Sequence, residues 1–149
     1  MKYRFTFNAD KCIACGACAV ACMDQNDADL SAGGRAYRSV TVAEHPDAPR
    51  RPIAYLSTGC MHCAAAPCVD ACPIGCLTKN DLGLTEYDST DCIGCQSCAA
   101  VCPFGAPAFR ADGKMEKCDG CQVRLEHGLL PACVRICPTG ALGCLTVEE

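Results

Sequence analysis

CIACGACAVAC (12–22) aligns without a gap on CIGCQSCAAVC (92–102), and CVDACPIGCL (68–77) shares a second pattern with CVRICPTGAL (133–142). Around these stretches, sixteen of the eighteen cysteines fall into four consecutive runs of four. Run one is Cys12, Cys15, Cys18 and Cys22; run two is Cys60, Cys63, Cys68 and Cys72. Run three is Cys92, Cys95, Cys98 and Cys102; run four is Cys118, Cys121, Cys133 and Cys137. The order reads as two copies of a two-run unit. The matches Ile13/Ile93, Ala19/Ala99, Val69/Val134, Gly75/Gly140 and Leu77/Leu142 fall outside the cysteines, so ligand spacing alone does not explain them.

Three closely spaced thiolates followed by a fourth before proline is the ligand pattern of a [4Fe–4S] cluster, with the fourth cysteine serving a neighbouring cluster. Sixteen cysteines suffice for four clusters, and a chain so loaded is built to carry electrons. Small residues at Ala14, Gly16, Gly94 and Ser97 let the loops curl and bring backbone N–H groups to the cluster sulfurs. Such bonds stabilise the reduced state and raise its potential. Pro73, Pro103 and Pro138 follow the fourth cysteine of three runs and turn the chain. Run one has Met23 there, which predicts a helix continuing to about Asp27. Zinc sites pair one C-x2-C with another at a distance, and disulfide scaffolds need no repeated C-x2-C-x2-C-x3-C; iron–sulfur is the reading taken.

Only four Phe, four Tyr and no Trp are present. Large core side chains are therefore scarce, and metal–thiolate bonds must supply folding energy in their place. The formal charge is −4; four clusters bring it to roughly −12. Such a balance disfavours nucleic acid and anionic lipid and favours a partner with a basic docking face. MKYRFTFNADKC (1–12) has no apolar signal core or twin arginine, and no stretch is apolar enough to span a bilayer. The expectation is a cytoplasmic protein with no direct membrane insertion, periplasmic only if exported with a signal-bearing partner.

Strands are predicted at 2–8, 36–43, 52–58, 76–79, 83–87 and 141–147, with a hairpin at Asn80-Asp81-Leu82. Helices are predicted at 16–26, 96–102, 117–127 and 130–137. Short strands and helices over clusters give an α+β, duplicated two-cluster ferredoxin-like fold in a single domain.

The stretches CMHCAAAPCVDACPIGCLTKNDLG (60–83), DCIGCQSCAAVCPFGAP (91–107) and KCDGCQVRLEHGLLPACVRICPTGAL (117–142) resemble the four-cluster ferredoxin subunits of molybdenum- and tungsten-dependent oxidoreductases. That family includes the electron-transfer subunits of formate dehydrogenases and of dimethyl sulfoxide, polysulfide and nitrate reductases. Related small subunits serve hydrogenases and tungsten aldehyde oxidoreductases. The resemblance implies that runs one and four pair, about 1–30 with 112–149, and that runs two and three pair within about 53–111. Cluster 1 then takes Cys12, Cys15, Cys18 and Cys137, and cluster 2 takes Cys118, Cys121, Cys133 and Cys22. Cluster 3 takes Cys60, Cys63, Cys68 and Cys102, and cluster 4 takes Cys92, Cys95, Cys98 and Cys72. It also implies a large molybdenum- or tungsten-pterin catalytic partner, of formate or aldehyde oxidoreductase type. The second redox partner would be a flavin/NAD subunit, a hydrogenase, a ferredoxin or another copy of this chain. Membrane-linked relatives often extend beyond the position of Glu149, so a membrane quinone partner is not expected. A stand-alone polyferredoxin and a hydrogenase-linked carrier are the competing readings.

The remaining residues carry less. Cys76 and Cys144 read as small buried apolar residues, and His62 as an exposed histidine with a lesser possibility of tuning its cluster. His45 and His127 have no constellation around them. Arg35, Arg38, Arg50 and Arg51 read as a solvated stretch with an option of docking an acidic partner. Asp10 and Asp91 read as turn caps. No catalytic set is present, so the chain is not expected to be an enzyme by itself.

Overall fold

The computed structural model describes residues 1–45, 47 and 52–148. In chain order the elements are β1 (Lys2–Phe7), α1 (Ala17–Gln25), β2 (Arg38–Glu44), β3 (Ile53–Gly59), α2 (Pro67–Asp70), β4 (Leu77–Lys79) and β5 (Thr85–Tyr87). They continue with α3 (Ser97–Ala100), β6 (Ala108–Phe109), β7 (Met115–Glu116), α4 (Gln122–Glu126), α5 (Ala132–Ile136) and β8 (Leu142–Val147). The strands pair in twos, all antiparallel. This mixture of short helices and strands is compatible with an α+β ferredoxin-like fold.

The alternation of Tyr3, Phe5 and Phe7 makes β1 a half-buried strand, and its partner is the last strand. Register runs from Lys2 opposite Val147 to Phe7 opposite Leu142. That closure brings the first cysteine run beside the last: α1 packs on α5, while α2 packs on α3. β2 and β3 form the predicted ribbon, from Arg38 opposite Gly59 to Glu44 opposite Ile53. Arg50 and Arg51, between β2 and β3 in the sequence, lie outside the described residues.

The hairpin expected at Asn80 is present, and a second one, β6–β7, repeats its turn. In each, the first turn residue donates its N–H to the fifth and the fourth donates back to the first, at Asn80–Leu84 and Arg110–Lys114. Gly83 and Gly113 supply the left-handed residue, φ 75° and 79°. Each hairpin follows a Cys-Pro-x-Gly turn, closed by Gly75 N–H on Cys72 O and by Gly105 N–H on Cys102 O.

The helix expected over 117–127 is shorter than predicted. Only Gln122–Glu126 is helical, because Gly120 and Cys121 have φ of 77° and 54° and cannot lie in a right-handed helix. Asn8 accepts from Asp10 N–H in the turn before Cys12, and Asp88 accepts from Thr90 N–H and Oγ1 before Cys92.

The apolar core is small and divided. One group is Phe5, Leu84 and Leu125; the others are Cys18, Cys133 and Leu142, and Leu77, Cys98 and Met115. Cysteine occupies positions that a larger core would fill with leucine or phenylalanine. Among the described residues no helix is long and apolar enough to cross a membrane.

Candidate iron–sulfur centres

The first C-x2-C loop of each run places a left-handed residue immediately before its second cysteine: Ala14 (φ 55°), His62 (46°), Gly94 (66°) and Gly120 (77°). A left-handed residue within such a loop turns successive N–H groups toward one side, the geometry of an anion-binding nest. At two positions glycine is also required by space. A Cβ on Gly94 would stand 2.6 Å from Gly113 O, and one on Gly120 would stand 2.9 Å from Leu84 Cδ2.

The loops and following helices gather cysteines around separate pockets. One pocket is lined by Cys12, Cys15, Cys18 and Cys137. A second is lined by Cys72, Cys92, Cys95 and Cys98, together with Cys76. A third is lined by Cys60, Cys63, Cys68 and Cys102. Cys133 lies near enough to Cys22 and Cys121 to raise both thiols, Cys22 also raises Cys121, and Cys60 raises Cys118 after burial does. A tetrahedral zinc site needs its sulfurs within about 2.3 Å of one point. Among the described residues no group of three or more His, Cys, Asp or Glu is placed to hold a single metal ion; the thiols ring three pockets instead.

Backbone donors already point at these sulfurs. Cys76 N–H reaches Cys72 Sγ at 3.3 Å and Ala106 N–H reaches Cys102 Sγ at 3.4 Å, each from four residues on. Met115 N–H reaches Cys92 Sγ and Gly120 N–H reaches Cys118 Sγ, both at 3.3 Å. Run one lacks the proline turn: α1 runs on to Gln25, as the Met23 position predicts, and the donor four residues past Cys22 is a side chain. Asn26 Nδ2 is 3.6 Å from Cys22 Sγ while it also donates to Cys22 O at 2.7 Å. These donors fit a group that carries negative charge on sulfur, and their acceptors are ligand-type residues.

Burial separates the thiols. It pushes Cys118 far above the ordinary thiol range and Cys121 up to about 11, with Asp119 adding to both. Burial also raises Cys22 and Cys60. Cys137 behaves otherwise: burial raises it, but N–H groups of Leu142 and Ala141 and the Thr139 hydroxyl outweigh that and leave it lowered. Cys95 is exposed and lowered by the Ser97 hydroxyl and N–H. Loading metal on the buried thiols therefore releases protons. Cys15 and Cys95 are the cysteines nearest solvent, with exposed Ile13 and Ile93 beside them.

His62 is buried, contrary to expectation. Its Nδ1 accepts from Thr85 N–H at 3.0 Å, and its ring lies against Phe5 with centroids 5.2 Å apart. Burial first, then the charges of Lys117, Lys79 and Arg38, hold it neutral and lower its pKa to about 2. Its Nε2 is enclosed and has no hydrogen-bond partner. An unmatched buried donor costs about 1–3 kcal/mol. Lys117 is buried as well, 1 % exposed. Its Nζ donates to Thr85 O and, at 2.8 Å, to Cys118 O, and stands 5.5 Å from the Tyr87 ring centroid. Among the described residues no carboxylate pairs with it, and its charge acts on Cys60, Cys68 and Cys118. An unpaired buried ammonium fits beside an anionic cluster.

Arg38 is not a surface cation: it is 5 % exposed and donates to Ser57 O and Oγ. Arg35 is exposed and pairs with Glu116 at 3.7 Å. Cys76 is buried beside Cys72 and Cys92, and Cys144 is half-buried against the Phe5 group. His45 and His127 are exposed, and His127 is bonded to Val123 O in its own helix. Backbone donors to sulfur were expected at the small loop residues, but the donors four residues past Cys72 and Cys102, the burial of Lys117 and the enclosed ring of His62 went unread in sequence; the signals for them were the repeated Cys-Pro-x-Gly spacing and histidine inside a C-x2-C loop.

Residues 52–146 match the profile of the 4Fe-4S dicluster domain, and residues 5–22 match that of the 4Fe-4S binding domain. The chain is 34% identical over 155 residues to the B subunit of the anaerobic dimethyl sulfoxide reductase of Haemophilus influenzae, covering 99% of this protein and 76% of that one. It is 35% identical over 143 residues to the thiosulfate reductase electron transfer subunit PhsB of Salmonella typhi, covering 95% and 74%. Identity to the iron-sulfur subunit of the nitrate-inducible formate dehydrogenase of Escherichia coli K12 is 36% over 155 residues, covering 93% and 52%.

Proposed function

This chain belongs to the 4Fe-4S dicluster family, and from that premise we propose that it relays electrons between a molybdenum- or tungsten-pterin catalytic subunit and a second redox partner. It is an iron–sulfur electron-transfer subunit, not the catalytic one. When bound, each [4Fe–4S] cluster accepts and gives up one electron at a time. The catalytic partner is of formate or aldehyde oxidoreductase type; the formate dehydrogenase subunit among the relatives supports that class. The second partner is a flavin/NAD subunit, a hydrogenase, a ferredoxin or another copy of this chain. The location in this reading is the cytoplasm, or the periplasm if the chain is exported with a signal-bearing partner.

The ligand sets are part of this reading: Cys12, Cys15, Cys18 and Cys137; Cys118, Cys121, Cys133 and Cys22; Cys60, Cys63, Cys68 and Cys102; Cys92, Cys95, Cys98 and Cys72. The observation that carries it is the lining of three separate pockets by the first, third and fourth of these sets. The pairing of β1 with β8 and the packing of α1 on α5 support a run-one/run-four half interleaved with a run-two/run-three half in one domain. The repeated loop conformations and turns support descent of the two halves from a duplicated unit. The chain's own residues then divide the work. Cysteines fix the positions of the clusters, backbone N–H groups stabilise charge on sulfur, and the exposed loops at Cys12–Cys15 and Cys92–Cys95 offer two apolar contact points, Ile13 and Ile93, for partners.

The test is anaerobic purification of the tagged chain from its native host. The expected result is a stoichiometric large subunit containing molybdenum or tungsten, with about sixteen iron per copy of this chain. Cys22→Ser should then abolish the cluster at Cys118, Cys121 and Cys133 and spare the one at Cys12. A nickel-containing large subunit with no molybdenum or tungsten in the complex, or no fixed partner, would overturn the assignment.

A further inference from the structure

His62 is the third residue of the Cys60–Cys63 loop, yet its ring reaches the loop of run four. Its Cε1 stands 3.2 Å from the position a Cβ would take on Gly120, between Cys118 and Cys121. At the ring nitrogen bonded to that Cε1, Thr85 N–H meets Nδ1 at 3.0 Å. A backbone N–H only donates, so Nδ1 carries the lone pair, and the proton of the neutral ring sits on Nε2. That Nε2–H is fully enclosed and has no partner among the described groups. A buried water needs two to four polar partners, whereas the ring lies against Phe5 and its Cε1 stands 3.2 Å from the Cβ position of Gly120. Gly120 N–H is itself directed at Cys118 Sγ, 3.3 Å away, so the loop that the ring touches already turns donors toward sulfur.

We propose that His62 Nε2–H donates a hydrogen bond to a sulfur of the cluster held by the Cys118–Cys121 loop, making His62 a positioning and potential-setting residue that ties the run-two loop to the neighbouring cluster. This assignment rests on the ligand sets proposed above. His62 then contributes a neutral donor beside the fixed charge of Lys117, so that cluster is reduced more readily than it would be without the histidine.

The test uses the full chain with its clusters, grown on 15N-histidine, reduced and measured by pulsed electron paramagnetic resonance. The chain has three histidines, and His45 and His127 are exposed. The expected result is one histidine 15N coupled to a reduced cluster. In His62→Phe the coupling disappears and the midpoint potential of one cluster falls, the same cluster that responds to Asn26→Leu. His62→Gln, which keeps a donor and an acceptor, recovers part of that potential. Absence of 15N coupling in the labelled wild-type protein overturns the proposal and needs no variant. Persistence of the coupling in His62→Phe, or an equal shift of every cluster, overturns it too. If His62→Phe fails to assemble, the labelled wild-type protein alone decides. Iron and sulfide analysis separates the two readings: a full complement without coupling refutes the role of His62, while a short complement refutes the ligand sets.

Discussion

The side-chain amide of Asn26 stands 3.6 Å from Cys22 Sγ, occupying the place held by a backbone N–H four residues beyond Cys72 and Cys102. Proline after the fourth cysteine bends the chain so that this N–H comes free of helical bonding. After Cys22 the helix continues, its N–H groups stay within the helix, and a side chain supplies the donor. Of these three donors to a fourth cysteine, the one at Cys22 can be removed by a side-chain substitution.

Asn26→Leu should therefore lower the midpoint potential of a single cluster. Loss of one bond worth about 1 kcal/mol corresponds to roughly 40 mV for a one-electron couple. Redox titration followed by electron paramagnetic resonance checks it; equal shifts in several clusters would contradict it.

Removing the charge of Lys117 should act more strongly and on more than one centre. Its ammonium influences Cys60, Cys68 and Cys118. At an effective dielectric constant near 20, a unit charge contributes on the order of 1–2 kcal/mol to a centre about 8–16 Å away, or roughly 40–90 mV. Lys117→Gln is expected to lower the potentials of the clusters at the Cys60 and Cys118 loops while those at Cys12 and Cys92 stay near their wild-type values. The same titration reads the outcome.

Gly94 and Gly128 both have positive φ, 66° and 70°, but differ in surroundings. A Cβ on Gly128 meets nothing within 4 Å, whereas one on Gly94 meets Gly113 O at 2.6 Å. Gly128→Ala should cost about 1 kcal/mol through φ alone and keep its iron. Gly94→Ala should force the Cys92–Cys95 loop away from the β6–β7 turn and reduce bound iron from about sixteen to about twelve. Iron analysis on the two purified variants distinguishes them.

Stripping the clusters with chelator and oxidant should abolish cooperative unfolding. The three apolar groups are small, and cysteine is prominent in two of them, so metal–thiolate bonding carries much of the folding free energy. Circular dichroism during a thermal scan is expected to show a transition in the loaded protein and none in the stripped one.

Much of this protein is local information, and local information can be read along the chain. Cysteine spacing identifies the cofactor because the first three cysteines of a run must curl around one cluster and the fourth must reach its neighbour. The strands at 2–7, 38–44 and 53–59 follow from alternation or β-branched content over a few positions, and the Asn80 turn from its residue types. The same locality explains the errors: the helical pattern over 117–127 hid the positive φ of Gly120 and Cys121, and the hairpin at 108–116 was too short to give a period. What only the tertiary structure decided is which surroundings each side chain meets. His62 looks solvent-facing in a loop of small residues, and becomes fully enclosed because Phe5, Thr85 and Gly120 converge on it from three distant parts of the chain. Lys117 and Arg38 look like surface cations, and are buried because carbonyl groups brought in from Thr85 and Ser57 receive them. Desolvation and hydrogen bonding depend on those long-range meetings, and no spacing along the chain encodes them.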